Sequence, residues 1–283
     1  MPTLIPTPKI WMNGTLVDWD KAQVHVLTHT LHYGTGVFEG IRAYETSDGP
    51  AVFRLTEHIE RLFRSAKILG MEIPYTVDEI IQATKDTVRS TGLPGCYVRP
   101  IAYYGYGEMG LNTLPCSVDV AIACWPWGAY LGDEALTKGV RMKISSWKRL
   151  DHNMLPPAAK TVANYANSSL AKVEALRAGY DEAILLNNEG LVSECTGENL
   201  FVVRGGKVIT PPLAAGALEE RHQDPRGHGL RGGEGQHRAL RPVHRRGDLL
   251  RRHGRRGQCH QLGGRPRRAL PRTDHPEGGR HLR

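Results

Sequence analysis

One lysine stands in an uncharged stretch of the chain, and its surroundings suit chemistry that uses a free amine. Lys160 lies in the segment LPPAAKTVANY, residues 155–165, directly after two prolines and two alanines. A lysine that forms a Schiff base needs surroundings that disfavour the charged amine, so that the free base is available. The ordinary alternative is a solvated lysine at the start of a helix. The segment alone leaves both interpretations open.

A carboxylate forms the second candidate. Glu194 lies in SECTGENLF, residues 193–201, a mostly uncharged segment about 34 residues after Lys160, whose pattern indicates a strand and a turn. A carboxylate beside the nitrogen of a pyridinium cofactor keeps that nitrogen protonated, which makes the ring an electron sink. The alternative is a turn carboxylate that caps nearby backbone amides.

A glycine-rich run, GYGEMG at residues 105–110, has the spacing of a dinucleotide-binding fingerprint. Such a site requires a helix directly after the glycines, because the helix N-terminus faces the pyrophosphate. The residues that follow here are LNTLP, which predict a loop. The sequence therefore argues against a dinucleotide site.

The composition excludes several classes of protein. Apolar residues make up 40% of the 283 residues, and no apolar run approaches the ~18 residues of a membrane span. The N-terminus lacks the basic start and the apolar stretch of a signal peptide. The five cysteines form no CxxC pair and no metal-binding spacing. They fit reduced thiols in a cytoplasm.

The elements that must position these side chains begin with a mixed α and β region over residues 1–129. Apolar periods of two and of 3.6 residues predict its strands and helices, and Asn-Gly is a hairpin signal. The predicted elements are a hairpin around Asn13-Gly14, a β pattern over 25–45 broken by a bend at 34–40, a helix over 56–70 with Thr56 as N-cap, a helix over about 77–90, and strands over 96–107 and 117–127.

A second region follows a segment rich in proline, glycine and aromatic residues, WPWGAYLGDEA. Such a composition is typical of a connection between domains, and we place the boundary near residue 130. Residues 1–129 would form a small N-terminal domain, and residues 130–219 would begin a larger one. Its predicted elements are a strand over 140–147, a helix over about 164–178, and strands near 182–187, 191–195, 199–204 and 207–210.

Six motifs occur in one order along the first 219 residues: HYGTGVFEGIRAY, RLFRSAKIL, YVRP, WPWGAYL, AAKTVANY and SECTGENLF. Together they resemble the branched-chain-amino-acid aminotransferases of the class IV aminotransferase family, which use pyridoxal phosphate. One motif would be weak, but six collinear motifs with family-like spacing are specific. The resemblance implies an α/β (α+β) fold of fold type IV with two domains, the large domain being incomplete after about residue 219.

The resemblance also implies roles for individual residues. Lys160 would hold the cofactor as a Schiff base and then transfer a proton as general acid and base. Glu194 would pair with the pyridine nitrogen, and Tyr165 would hydrogen-bond the phenolic oxygen. Arg61 would hold the phosphate with its guanidinium fork. The residues implied to line the side-chain pocket are Tyr33, Phe38 and Tyr130, and those implied to hold the distal carboxylate of glutamate are Tyr97 and Arg99.

These side chains also have ordinary explanations. For the aromatic residues the alternative is core packing, and for the two arginines it is an exposed helix position or an ion pair at a strand end. The presence of the whole set favours the functional interpretation.

The implied activity is transfer of the amino group between leucine, isoleucine or valine and 2-oxoglutarate. The implied partners are small-molecule substrates and a second copy of the chain, with neither nucleic acid nor a membrane. Alternatives of the same fold are a D-amino-acid transaminase, an aminodeoxychorismate lyase and an inactive truncated homologue, although VFEGIRAY and YVRP favour the branched-chain type. From another class, the rival is a non-catalytic protein whose basic tail binds nucleic acid.

The composition changes after Leu218. Residues 221–283 contain 17 Arg, no Lys and 5 acidic residues, a net charge of +12, whereas residues 1–220 carry −4. The tail contains no Phe, Trp, Tyr or Ile and shows no amphipathic period, so it cannot bury enough apolar surface to offset its ordering entropy. It is either a disordered basic tail or an out-of-frame translation of GC-rich DNA.

We expect residues 220–283 to be frame-shifted. The family continues with a Gly-Ile-Thr-Arg-like segment, whose amides bind the cofactor phosphate, and this chain lacks it. Plausible codons for residues 220–224, read one base later, give Ser-Gly-Ile-Arg-Thr. The same offset over 271–277 permits Pro-Gly-Pro-Thr-Thr-Gln-Lys.

Resequencing the gene tests this expectation. The DNA after codon 219 should encode the family-like segment in the frame one base later, and a chain that carries the tail as written should fold poorly and turn over little substrate. An intact reading frame for the basic tail, with nothing family-like in the shifted frame, would end the idea.

Overall fold

The computed structural model describes residues 4–128, 134–205, 207–219 and 249–252. The first part of the chain contains one antiparallel sheet in the order β2-β1-β7-β6-β4-β5, and β3 also pairs with β6. Its elements are β1 (Lys9–Met12), β2 (Thr15–Asp18), α1 (His29–Tyr33), β3 (Gly36–Phe38), β4 (Ile41–Tyr44), β5 (Ala51–Val52), α2 (Leu55–Ile68), α3 (Val77–Ser90), β6 (Cys96–Tyr104) and β7 (Val118–Trp125). The mixed α and β class expected from the sequence is confirmed.

The predicted hairpin at the N-terminus is confirmed, with β1 and β2 pairing across Asn13 and Gly14. Both turn residues have positive φ, 46° for Asn13 and 97° for Gly14. This is the conformation that a two-residue turn between twisted strands requires, and Asn-Gly adopts it readily. The turn is also held by the side-chain amide of Asn13, which donates to Asp119 at 2.9 Å.

The two long helices pack on the sheet and form the main core. On α2 the apolar stripe consists of Ile59, Leu62 and Ala66, and all three are buried against the sheet and α3. Their spacing of three and four residues is the helical period that the sequence shows. At the start of α3, Thr76 and Glu79 form a reciprocal capping box, which satisfies two backbone donors of the first turn. The core therefore fixes the face of α2 that carries its polar residues.

Two predictions for this region are wrong. Residues 29–33 form the short helix α1 rather than a strand, because buried His29 bonds the Thr35 hydroxyl and the Gly110 carbonyl, each at 2.7 Å. Thr56 is not the N-cap of α2, because the helix begins at Leu55 and Arg54 is the capping residue. Arg54 adopts a left-handed conformation with φ of 49°, and its guanidinium binds Glu57 in the first turn.

The second part of the chain is built on a parallel crossover. Strand β8 pairs with β9 in parallel, β10 adds in antiparallel fashion, and α5 packs its alanines against β9. A second sheet has the order β12-β11-β13. The elements are α4 (Glu134–Lys138), β8 (Met142–Lys148), α5 (Asn164–Arg177), β9 (Glu182–Leu186), β10 (Val192–Cys195), β11 (Leu200–Arg204), β12 (Lys207–Ile209) and β13 (Leu249–Arg252). The predicted helix and strands of residues 140–210 are confirmed.

The crossover explains where the candidate residues lie. Lys160 is in the connection that enters α5, and Glu194 is near the end of β10. The proposed boundary near residue 130 lies outside the described residues, so the two-domain division stays a prediction. None of the helices in the described part of the chain combines the length and apolar character needed to cross a membrane.

Four residues of the basic tail are described. Leu249–Arg252 form β13, which pairs with β11 in antiparallel fashion. Strand pairing uses backbone donors and acceptors, so a segment without an amphipathic pattern can still take part in it.

Candidate active site

The backbone of Lys160 is held between two elements of the first sheet region. Its amide N–H donates to the Ser65 hydroxyl of α2 at 3.0 Å. Its carbonyl accepts from the amide of Phe38 in β3 at 3.1 Å. The next residue, Thr161, forms an isolated antiparallel bridge with Val37. The lysine is therefore fixed at its backbone, although it lies in a loop.

The loop before Lys160 is itself held by one side chain of α5. The amide of Asn164 donates to the carbonyls of Pro156 and Ala159, at 3.2 and 3.1 Å. Proline contributes no N–H and restricts its own φ, so the loop has few alternative conformations. The prolines and the Asn164 contacts together restrict the loop that carries the lysine.

The amine of Lys160 lies between two aromatic rings. Its Nζ donates to the Tyr165 hydroxyl at 2.7 Å. It is 5.4 Å from the centre of the Phe38 ring and 5.2 Å from that of Tyr165. The two rings contact each other, with centroids 4.7 Å apart. The amine therefore contacts two aromatic faces and a hydroxyl that can act as donor or acceptor.

Glu194 lines the same cavity as Lys160 and Tyr165. Its side chain is buried, and both carboxylate oxygens have partners. Oε1 accepts from Nη2 of Arg149 at 2.7 Å, and Oε2 accepts from the amide of Leu218 at 2.8 Å. An amine, a phenol and a paired carboxylate therefore line one cavity.

Arg61 lies on α2 and pairs with a buried carboxylate. Its Nε and Nη2 donate to the two oxygens of Glu39 at 2.6 and 2.8 Å. Its Nη1 donates to the Glu219 carbonyl at 2.5 Å. His58, one turn earlier on α2, also contacts Glu39, with Nδ1 2.9 Å from Oε2. The guanidinium is thus oriented by Glu39 on one side and by the backbone before the tail on the other.

The environment of Glu39 strongly affects its titration. Burial raises the pKa of Glu39, but hydrogen bonds from Arg61 and His58 and the charge of Arg61 outweigh burial and lower the pKa to about 2. The carboxylate therefore stays charged throughout the ordinary pH range. A charged Glu39 is what holds the guanidinium of Arg61 in place.

The structure also brings Phe38, Tyr97 and Arg99 together. The Nη2 of Arg99 donates to the Tyr97 hydroxyl at 2.8 Å, and the guanidinium lies over the Phe38 ring at 4.6 Å. The Nε atom of Arg99 is buried, and it has no hydrogen-bond partner among the described residues. A half-buried cation with an unused, buried donor atom is suited to an anionic ligand group.

Two predicted pocket residues are not part of this group. Tyr33 is 39% exposed, and its ring contacts among the described residues are with His29 and His32. Tyr130 lies outside the described residues. Within a single chain, therefore, the structure does not bring Tyr33 to Lys160.

Sequence reasoning missed several residues of this site. Arg149 lies directly after β8 and reaches Glu194, Ser65 binds the lysine backbone, and Glu39 pairs with Arg61. A usable signal existed for Glu39, which is a charged residue inside a glycine-rich apolar motif. Ser65 carries no such signal, because serine is common on helix surfaces.

These side chains fit the ring of pyridoxal phosphate. A carboxylate paired with an arginine suits the ring nitrogen, the Tyr165 hydroxyl suits the phenolic oxygen, and the Lys160 amine suits the aldehyde. Arg61 is not among the residues that line the cavity, because Glu39 and the Glu219 carbonyl hold its guanidinium. The fit is therefore clear for the ring and less complete for the phosphate.

Comparisons with known proteins agree with this geometry. The sequence model described as Amino-transferase class IV matches residues 36–219. The chain is 50% identical over 206 residues to the branched-chain-amino-acid aminotransferase of Pseudomonas aeruginosa, a match that covers 73% of this chain and 67% of that protein.

Solved structures give the same result. The crystal structure of the Escherichia coli branched-chain amino acid aminotransferase matches with a TM-score of 0.73 and 47% identity, over 75% of this chain and 70% of that one. The branched-chain aminotransferase of Thermoproteus uzoniensis, solved with norvaline, matches with a TM-score of 0.72 and 48% identity, over 75% of this chain and 71% of that one.

The Glu39 contacts predict a specific pH dependence of stability. The pKa of this group falls from 4.5 to about 2 on folding, so its contribution is present above pH ~4.5 and is lost as the pH falls toward 2. Glu39→Gln should lower the free energy of unfolding by about 3 kcal/mol at pH 7. The difference from wild type should shrink between pH 4.5 and pH 2.

Urea denaturation at several pH values measures this effect. Glu60→Gln is the control, because Glu60 is exposed on the same helix, and its difference from wild type should be small at every pH. A loss for Glu39→Gln that does not change with pH would contradict the prediction.

Proposed function

The chain belongs to the class IV aminotransferase family, and within it we propose that the protein is a branched-chain-amino-acid aminotransferase that uses pyridoxal phosphate. One observation carries this proposal: the Lys160 amine, the Tyr165 hydroxyl and the Glu194 carboxylate line one cavity. The relatives with the same printed activity, about half identical over most of the chain, support the substrate class. The reaction exchanges the amino group between leucine, isoleucine or valine and 2-oxoglutarate.

Each side chain then has a distinct task. Lys160 would bind the cofactor covalently through Nζ, and Tyr165 would donate to the phenolic oxygen. Glu194 would hold a proton at the ring nitrogen, and Arg61 would bind the phosphate. When bound, pyridoxal phosphate supplies a ring that stabilises negative charge at the α-carbon of an amino acid.

Lys160 also carries the proton transfer. Its backbone is fixed by Ser65 and Phe38, so only the side chain has to move between its two tasks. The Tyr165 hydroxyl, 2.7 Å from Nζ, offers a partner for the amine in either protonation state. We therefore assign to Nζ a 1,3-proton transfer, in which it would remove the α-proton and deliver it to the carbon on the far side of the amino nitrogen.

The aromatic cluster accounts for a dual substrate preference. The rings of Phe38 and Tyr97 offer apolar surface to an aliphatic side chain, and the half-buried guanidinium of Arg99 offers a charge to the distal carboxylate of glutamate. Tyr33 and Tyr130 are proposed to complete the pocket. The two other activities considered for this fold, D-amino-acid transamination and aminodeoxychorismate lysis, gain no support from the relatives described above.

We also propose that the protein acts as a homo-oligomer in the cytoplasm. Large apolar side chains of two segments are exposed on one side of the first sheet region, where the His25 and Tyr106 rings are 4.3 Å apart. Such a surface marks a protein interface. The exposed side chains of this apolar surface are Val26, Leu27, Leu31, Tyr33, Tyr106, Met109, Leu111 and Leu114.

The cysteines support the proposed compartment. The described cysteines are free thiols, which suits a reducing compartment.

Substitution of the lysine tests the catalytic assignment. Lys160→Ala should abolish the Schiff-base absorbance with added pyridoxal phosphate and lower turnover of L-leucine with 2-oxoglutarate at least ~10³-fold. Lys67→Ala is the control, because Lys67 is exposed on α2, and it should retain both signals.

Two assays separate the alternatives. Turnover of D-alanine in place of L-leucine would favour the D-amino-acid transaminase. Borohydride reduction followed by peptide mapping should find the cofactor on Lys160, and its recovery on another lysine would overturn the assignment.

The apolar surface predicts the assembly state. Leu111 and Leu114 are 86% and 88% exposed, so charged replacements should not disturb the core of one chain. Leu111→Glu with Leu114→Glu should reduce the mass measured by light scattering to that of a single chain. The control is Val208→Glu, an exposed position in β12, which should keep the oligomer. A monomeric wild type would refute the proposal.

A further inference from the structure

A second ion pair forms part of the cavity wall, between Arg149 and Glu194. The Nη2 of Arg149 donates to Oε1 of Glu194 at 2.7 Å, and the two side chains are only 5% and 9% exposed. Both residues line the cavity that contains Lys160. We infer that Arg149 is a positioning residue, which keeps Glu194 ionised and oriented toward the cofactor ring.

The first argument concerns the charge of Glu194. Burial of a carboxylate favours its neutral form, unless a cation and hydrogen-bond donors stabilise the charged form. Arg149 supplies the cation, and the amide of Leu218 supplies a donor to the other oxygen at 2.8 Å. An ionised carboxylate can accept a hydrogen bond from the protonated ring nitrogen. A neutral acid would instead present its own proton toward that N–H.

The second argument concerns orientation. The Nε of Arg149 donates to the Gly216 carbonyl at 3.2 Å, so the same guanidinium binds both Glu194 and the turn that supplies the Leu218 amide. Gly216 has φ of 91°, and a Cβ there would lie 3.3 Å from Cγ of Arg149. The glycine lets the turn approach the arginine stem closely. Arg149 therefore joins β8, β10 and the 216–218 turn at one carboxylate.

Lysine could not replace this arrangement fully. A guanidinium has a planar fork that can donate to a carboxylate and a carbonyl at once, while an ammonium is a point charge. Arg149→Lys should restore the charge and lose part of the orientation. Arginine, lysine and methionine at position 149 should therefore orient Glu194 to a progressively smaller extent.

The inference rests on the proposed role of Glu194 at the ring nitrogen, and a cofactor analogue isolates that role. In 1-deazapyridoxal phosphate a C–H replaces the nitrogen, and every other group is kept. The preference of the protein is defined here as the ratio of the dissociation constants of 1-deazapyridoxal phosphate and pyridoxal phosphate. This preference reports the nitrogen contact and cancels general changes in stability.

Titration calorimetry with both compounds tests the inference. Arg149→Met should reduce the preference ~10-fold or more, the scale of one hydrogen bond to a charged group. Arg149→Lys should fall between Arg149→Met and wild type. The matched control is Arg141→Met, because Arg141 is an exposed arginine near Asp181, and it should leave the preference unchanged.

A double-variant cycle separates positioning from a merely structural role. In a Glu194→Gln background, Arg149→Met should cause no further loss of preference, because the carboxylate it orients has been removed. An equal loss in both backgrounds would overturn the inference, as would an unchanged preference in Arg149→Met. If wild type binds neither compound, or shows no preference, the assigned role of Glu194 fails, and the proposed function fails with it.

Discussion

A carboxylate removed from water must find a cation or lose its charge, and this constraint organises the site. Three buried carboxylates of the described residues satisfy this constraint by pairing with a cationic side chain. Glu39 pairs with Arg61, Glu182 with Lys172, and Glu194 with Arg149. Each pair joins different elements of the fold. Removing one partner would leave an uncompensated buried charge, so each pair fixes the relative position of the elements that carry it.

Each pair is connected to Lys160 or to the cavity that it lines. Glu39 follows Phe38, whose amide binds the Lys160 carbonyl. Glu182 accepts from the Thr196 hydroxyl at 2.6 Å, and Thr196 lines the cavity two residues after Glu194. The Lys160 amine therefore lies between two rings in a region where the buried carboxylates already have cationic partners.

The sequence predicted the parts of this arrangement that follow from local pattern. The period of α2 and α3, the Asn13-Gly14 hairpin and the strand around Glu194 are each visible within a few residues. The start of α2 and the short helix α1 were missed, because they depend on side-chain contacts of Arg54 and His29. One of these contacts joins residues 81 positions apart, and no short window can contain it.

The same reasoning explains which site residues could be identified. Lys160 and Glu194 stand out, since a charge in an uncharged segment is unusual, and the collinear motifs gave them roles. Arg149 was missed, because it stands beside Lys148 in the ordinary charged sequence WKRLD. Only the fold shows that one of these two cations is buried against Glu194.

The site divides into two halves at the point where the composition of the chain changes. The half that would hold the cofactor ring depends on residues up to Leu218, whose amide binds Glu194. The half that would hold the phosphate depends on Arg61, which is bound by the carbonyl of Glu219. A carbonyl is an acceptor and cannot bind a phosphate oxygen, so of these two groups only the Arg61 guanidinium could donate to a phosphate. The arginine proposed to bind the phosphate and the carboxylate proposed to bind the ring nitrogen are therefore both held by backbone groups at the point where the composition of the chain changes.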